Sequence, residues 1–379
     1  MRIAFVANTA WSMYNFRKNI LNYWLAQGYQ ITVIAPFDDK TSLLEKMGCI
    51  CINIDIQRQG TNPYADAKLL YSLYYIYKEI KPNFIFHYTI KPNIYGSIAA
   101  KLAGVSNNVA ITTGLGSAFI KNNWITKIAK FLYKRSLCYT KYVYFLNQDD
   151  LNKFIQYKII PIEKAKLLPS EGVDTDFFSL SAIDIDINNL NIPNNAKNQT
   201  KFLLIARMLK DKGIVEYAES AKILKKKYGN NIEFNLLGAI DAQNPNAIPI
   251  SQIKSWQAQG IINYLGTAND VRIYINESDC VVLPSYLEGI PRTLLEGASM
   301  QKPLIASDVS GCKDVVKHNH NGYLCKPKSV DDLVFYLDKF INLDHDSRYN
   351  MGINGRNYVR DNFSDDKVIK EYISILNEA

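Results

Sequence analysis

The 379-residue chain holds only 4 histidines and 6 cysteines, and their spacing builds no metal or redox centre. Cys49, Cys51, Cys138, Cys280, Cys312 and Cys325 form no C-x-x-C pair and no Cys/His zinc pattern. Several lie in apolar, strand-like runs, so they read as reduced core residues of a cytosolic protein. No run approaches the ~18 apolar residues of a membrane span. The opening apolar run, 3–7, is too short for a secretory signal and passes straight into a polar loop. The chain is therefore expected in the cytoplasm. G-x-G-x-x-G is missing, which disfavours a Rossmann-type dehydrogenase, and neither a P-loop nor a nucleophile elbow is present. Internal repeats and low-complexity segments are also absent.

What is present suits two domains: 47% hydrophobic residues and 21% charged ones let each half bury a core. The net charge of +8 favours anionic partners such as nucleotides, phospholipid surfaces or nucleic acid without choosing among them. Short apolar runs alternate with helical patterns, the order of parallel sheets covered by helices. Strands are expected at 3–7, 31–35, 49–54, 84–87, 109–112, 142–146 and 165–168, with helices at 16–26, 65–79, 94–103 and 124–137. Residues 179–200, rich in Asn and Asp, read as a linker between an N-terminal domain, 1–178, and a C-terminal one, 201–360. Beyond it strands are expected at 202–206, 232–237, 261–265, 280–283 and 304–307, and helices at 329–341 and 365–377. The simplest architecture is α/β, two Rossmann-like units facing each other across a deep cleft, with ligands outside the carboxyl ends of the strands.

The most informative stretch is LPSYLEGIPRTLLEGASM, 283–300, an apolar strand followed by a loop and a helix. Pro291 suits the first helical position, where its missing N–H costs nothing. The N–H groups of the following turn and the positive end of the helix dipole make an anion site. Glu288 and Glu296 would repel a phosphate, so they suit uncharged hydroxyls, a division that fits a nucleotide-sugar. Upstream, in ARMLKDKGI, Arg207 and Lys212 follow a strand and Gly213 opens a helix; the pair can clamp a diphosphate, Arg207 as a planar fork and Lys212 as a point charge. Lys210 is a further cation nearby. Both patterns also occur as ordinary solvated surface, and only their shared position on one sheet edge raises them above it.

Glu288, Gly289 and Glu296 after an apolar strand resemble the E-x7-E motif of retaining glycosyltransferases with two Rossmann-like domains, the GT-B fold. Arg207, Lys212 and Gly213 match that family's R-x4-K-G. The resemblance spans nearly the whole chain and is strongest from 203 to 303. It implies retaining, metal-independent hexosyl transfer, with Arg207, Lys212 and Glu288 catalytic. It assigns donor binding to Gly266, Gly289, Ile290, Pro291, Arg292, Thr293, Leu294 and Glu296. Tyr264, Leu265 and Gly266, leading to Asp270, then form the base-binding wall, and the last helix, 361–379, can cross back to the first domain. The run 168–174 resembles the family's hinge, except that Ser170 and Glu171 replace the customary asparagine.

The same resemblance gives the acceptor to the N-terminal half, at Asn8, Ser12, His87, Lys91, Asn93, Thr113, Gly114, Gly116 and Ser117. The first loop lacks the glycine pair often found in the family, and no histidine stands near Thr113. His87, at a strand end, is also an ordinary structural position. Lys121, Lys127, Lys130, Lys134, Arg135 and Lys141 interleave with apolar residues at helical spacing, giving a basic amphipathic helix that can lie on an anionic bilayer or pack against the core. Together these features look like the bacterial transferases that extend undecaprenyl-diphosphate-linked sugars. That implies a UDP-sugar donor, such as UDP-N-acetylhexosamine, a polyprenyl-diphosphate-linked acceptor, and no nucleic acid. The D-x-D triplets at 174–176, 184–186 and 344–346 read as solvated turns, and neither metal nor other cofactor is expected. A nucleotide-sugar 2-epimerase of the same fold and a non-catalytic sugar- or membrane-binding protein are the alternatives.

Overall fold

The computed structural model describes residues 1–57, 62–114, 124–187, 199–242 and 244–378. The chain divides into two compact units, Met1–Gly172 with Asp365–Ala379, and Val173–Ser364.

The first unit is built on a parallel sheet of β1 (Arg2–Val6), β2 (Gln30–Ala35), β3 (Ile50–Asn53), β4 (Phe84–Tyr88), β5 (Asn108–Thr112), β6 (Tyr142–Phe145) and β7 (Ala165–Leu167), in the order β3-β2-β1-β4-β5-β6-β7. All five residues of β4 and of β5 are buried, as expected where helices cover both faces of a parallel sheet. The first helix runs Ala10–Ala26, six residues ahead of the expected start at 16. Thr9 sets that start by accepting a hydrogen bond from Ser12 N. Pro63–Ile80 begins under an Asn62 cap with Pro63 in its first turn. The helix Asp365–Asn377 belongs to this unit, and its Tyr372 packs edge-on against Trp24 and Phe86. Four of the cysteines are buried across the chain, but Cys138 is exposed, which corrects its reading as core.

The second unit holds β8 (Thr200–Ile205), β9 (Ile232–Leu237), β10 (Asn263–Tyr264), β11 (Cys280–Leu283), β12 (Leu304–Ser307) and β13 (Gly322–Cys325), all parallel, in the order β10-β9-β8-β11-β12-β13. The expected linker is in part helical: Leu180–Ile187 is an α-helix, and Phe178 and Ile183 are core residues of this unit. The 184–186 triplet lies in that helix; 188–198 fall outside the described residues. The chain enters and leaves the unit side by side, with Val173 bridged to Ser364 and Val173 N donating to Phe363 O at 3.1 Å. Helix His345–Phe363 and strand β13 were not foreseen. That helix carries Gly352, where a Cβ would collide with the carbonyl of Gln301. A polar, glycine-bearing sequence masks a helix held by close backbone approach.

Candidate functional site

In the second unit the strand order reverses between β8 and β11, the place where open parallel sheets bind ligands. Two loops leave those strands and lock together. Lys210–Lys212 forms a single 3-10 turn, and Gly213 follows at φ +72, opening helix Ile214–Tyr228. A Cβ at Gly213 would strike the carbonyl of Pro284. Tyr286 N and Ser285 Oγ both donate to Asp211 O, at 2.9 and 3.0 Å. Tyr286 Oη donates to Glu216 Oε1 at 2.5 Å. The result is an ion pair between residues 76 positions apart, Lys212 Nζ to Glu288 Oε1 at 2.6 Å, with both side chains under a fifth exposed (18% and 13%). Arg207 stands at the same strand end, more than half exposed, 3.7 Å from Asp241.

A third loop closes on the pair from β12. Gly311 sits at φ +80, and a Cβ there would collide with Gly289 O. Cys312, next in the chain, is fully buried, and its thiol is held well above the ordinary range by burial and by the charge of Glu288, with Lys212 opposing. Helix Arg292–Ser299 begins at Pro291, which is its cap, not its first residue; Leu294 N donates to Pro291 O at 3.1 Å. Leu295 N donates to the same carbonyl at 3.3 Å, and the positive end of the helix dipole lies at this terminus. Arg292 Nε donates to Glu296 Oε1 at 2.8 Å, an i,i+4 pair. Burial lifts the Glu296 carboxyl above the usual range; Arg292 opposes this and the charge of Asp270 adds to it.

The remaining donor-side residues divide by what they can offer. Ile290 and Thr293 are half-buried, whereas the Leu294 side chain is core, which leaves it only its backbone. Gly266, at φ +74 with open space about its Cα, accepts from Gly238 N at 2.7 Å. Gly238, passed over in the sequence, is needed because a Cβ there would strike Ala206 O; the strand-ending pair Leu237 Gly238 was its signal. Glu216 and the turn at Ser310 and Gly311 were also missed. A serine and glycine turn directly after a strand marked the latter.

In the first unit the expected acceptor residues do not all reach a surface. His87 is corrected: it is fully buried, 3.0 Å from Tyr77 Oη, and burial depresses its pKa to about 3. Asn93 is corrected as well, since it is buried with Nδ2 donating to Ile111 O at 3.1 Å. With helices on both faces of the sheet, a strand-end or first-turn side chain points into a core. Lys91 is largely covered, its side chain 14% exposed and paired with Asp66 Oδ1 at 2.6 Å, and Tyr95 Oη donates to the other Asp66 oxygen at 2.8 Å. Asn8 is half-buried in the loop after β1, and Ser12 lies inside the helix with its hydroxyl donated to Thr9 O. Thr113 and Gly114 follow β5, with Gly114 at φ +132; Gly116, Ser117 and Lys121 lie outside the described residues.

The basic helix spans Trp124–Ser136. Its buried side includes Thr126 and Tyr133, and its exposed side interleaves Ile128 and Phe131 with Lys127, Lys134 and Arg135. The face open to solvent is thus mixed, not purely basic. Lys141 is bonded to the carbonyl of Glu378. Among the described residues no helix is long and apolar enough to cross a membrane, and no three His, Cys, Asp or Glu side chains are grouped to hold a metal ion. Asp174 accepts from Phe177 N at 2.9 Å, and Asp344 caps helix His345–Phe363.

Two parallel-sheet α/β units, one carrying a lysine–carboxylate pair beside a helix N-terminus at its switch point, define the class of GT-B glycosyltransferases. Residues 186–358 match the family described as glycosyl transferases group 1, and residues 2–147 match that described as glycosyl transferase 4-like. Among curated proteins the chain is 30% identical over 338 residues to the N,N'-diacetylbacillosaminyl-diphospho-undecaprenol alpha-1,3-N-acetylgalactosaminyltransferase of Campylobacter jejuni, covering 88% of this chain and 87% of that one. It is 27% identical over 333 residues to the UDP-Gal:alpha-D-GlcNAc-diphosphoundecaprenol alpha-1,3-galactosyltransferase of Escherichia coli, covering 86% and 82%. The fold matches Anabaena HepE in complex with UDP at a TM-score of 0.78 and 18% identity, over the whole of both chains. The chain belongs to the group 1 glycosyltransferases and is a glycosyltransferase of GT-B fold.

Proposed function

We propose that this enzyme transfers a hexose or N-acetylhexosamine from a UDP-sugar to a saccharide carried on polyprenyl diphosphate, with retention at the anomeric carbon and without a metal ion. The observation that carries the reading is the Lys212–Glu288 pair at the switch point of the second unit, beside the opening turn of Arg292–Ser299. A diphosphate leaving group gathers negative charge as the glycosidic bond breaks. A lysine already placed and more than four-fifths withdrawn from water, with backbone N–H groups beside it, favours that charge at no cost of reorganisation. Arg207, more exposed, supplies a second cation. Drawn toward phosphate, Lys212 releases Glu288 to accept hydroxyls of the donor sugar, while the Glu296 carboxylate suits a ribose hydroxyl. Curated relatives whose names specify undecaprenyl-diphosphate-linked acceptors support the acceptor class.

The test is thermal stability with UDP, GDP, ADP or NAD, each with and without a chelator. A ligand bound only by the folded state stabilises by ~2.7 kcal/mol at a hundredfold excess over its Kd. A rise with UDP alone that ignores the chelator is expected; a rise with NAD, or with no nucleotide, removes the reading. The proposal extends to an anionic membrane surface met by helix Trp124–Ser136, where Ile128 and Phe131 enter the headgroup boundary and the surrounding cations meet lipid phosphate. Ile128→Ser with Phe131→Ser should lower co-sedimentation with phosphatidylglycerol vesicles; equal sedimentation would assign the contact elsewhere.

A further inference from the structure

One aromatic side chain of the second unit is tied to the Lys212 turn at both ends. Tyr286 lies on the loop after β11. Its backbone N–H donates to Asp211 O at 2.9 Å, on the near side of Lys212, and its hydroxyl donates to Glu216 Oε1 at 2.5 Å, on the far side. The tyrosine therefore spans the 3-10 turn and Gly213 like a strap. Further along the same loop stands Glu288, the partner of Lys212. Asp211, Lys212, Glu288 and Tyr286 thus close a ring in which each member is held by the next.

The two ties differ in kind. The start of the turn is held by the Tyr286 backbone and the Ser285 hydroxyl, both on Asp211 O. The helix beyond it, Ile214–Tyr228, is reached by the Tyr286 hydroxyl. Glu216 lies in the first turn of that helix, where the dipole favours a carboxylate. Its Oε2 is buried with no hydrogen-bond partner among the described residues, so the tyrosine is what compensates its burial. Burial, and then Glu216 itself, hold the Tyr286 hydroxyl above its ordinary pKa, which keeps it a donor across neutral pH. Lys328, from the loop after β13, places Nζ 4.9 Å from the centre of the Tyr286 ring, a cation–π contact that adds to the hold.

A lysine is a point charge on a flexible stem, and a shift of about 1 Å in a reacting group can cost about a hundredfold in rate. What fixes the turn therefore fixes the charge. We propose that Tyr286, anchored by Glu216, is a positioning residue that sets Lys212 Nζ against the terminal phosphate of the donor's diphosphate. Tyr286 itself gives nothing to the ligand and acts through Lys212. This deepens the proposed function and rests on it for the diphosphate.

The test is calorimetric titration of the full chain with UMP and with UDP, at a temperature where every variant is folded. UDP adds one phosphate to UMP, so the ratio of the two affinities reports on that phosphate and cancels changes elsewhere in the site. The wild type should prefer UDP, and Lys212→Ala should lose about 10–100-fold of that preference. Tyr286→Phe, which removes one oxygen atom, should lose about 2–10-fold with UMP affinity unchanged. Glu216→Ala should match it, whereas Glu216→Gln still offers the hydroxyl an oxygen and should keep most of the preference. Because the tyrosine acts through the lysine, Lys212→Ala/Tyr286→Phe should bind UDP no more weakly than Lys212→Ala alone. A wild-type ratio in Tyr286→Phe, an equal loss for both probes, or additive losses in the double variant would each overturn the positioning role. No preference for UDP in the wild type, or one untouched by Lys212→Ala, would instead remove the diphosphate assignment, and the positioning role with it.

Discussion

Lys212 is the residue on which most depends. Its ammonium meets Glu288 at 2.6 Å and both are largely withdrawn from water. Removing one preorganised charge-stabilising group from an active site typically lowers kcat by about 10²–10³, and Lys212→Ala should fall in that range. The melting temperature should fall as well, because Lys212→Ala leaves the Glu288 carboxylate without its partner in a site largely withdrawn from water, so rates are compared well below the variant's melting temperature. Steady-state rates with a calorimetric control decide it; undiminished turnover in a folded variant would end the diphosphate role. The residue types of the site were legible, since Arg207, Lys212, Glu288 and Glu296 stand in two local spacings. Their pairing was not, because a contact across 76 residues is set by strand order rather than by spacing. His87 and Asn93 misled for a related reason: a polar residue at a strand end looks available until helices are known to cover both sheet faces.

At the scale of elements, the site is a junction of loops held by glycines. Gly213 has φ +72 and lies against the Pro284 carbonyl, so Gly213→Ala meets both backbone strain and a collision. Substitutions at such positions destabilise by more than about 1 kcal/mol, and for a unit of this size each kcal/mol lowers Tm by roughly 2–4 °C. Because the collision pushes apart the two loops that carry Lys212 and Glu288, activity should fall further than Tm predicts. A Gly213→Ala protein with wild-type Tm and rate would show that the loops are not held this way. Strands such as β9, β11 and β12 were legible to the residue, being short and mostly apolar. Helix ends were less so: the start at Ala10 rests on one side-chain cap, and His345–Phe363 shows no apolar stripe to read.

At the scale of the whole molecule, the two-unit α/β plan follows from strand and helix alternation alone. What the alternation could not show is that residues from Asp365 onward join the first unit, since that rests on tertiary contacts such as Tyr372 with Trp24. Stability against acid is a property at this scale, and one buried group sets part of it. His87 sits without solvent access against Tyr77, and even the glycine at 96 is required because a Cβ would strike the imidazole. Burial lowers its pKa from 6.5 to about 3. Between those values the unfolded chain binds a proton that the folded chain refuses, so stability is retained above about pH 6.5 and declines as pH falls toward about 3. The slope from one such group approaches ~1.4 kcal/mol per pH unit once the unfolded histidine is fully protonated. His87→Gln keeps a polar partner for Tyr77 but cannot titrate. Urea unfolding from neutral pH down to about 5 should therefore show a shallower acid slope in the variant than in the wild type, even if its stability at neutral pH is lower. Parallel slopes in the two proteins would mean that other groups carry the acid limb and that His87 does not stay neutral in the fold.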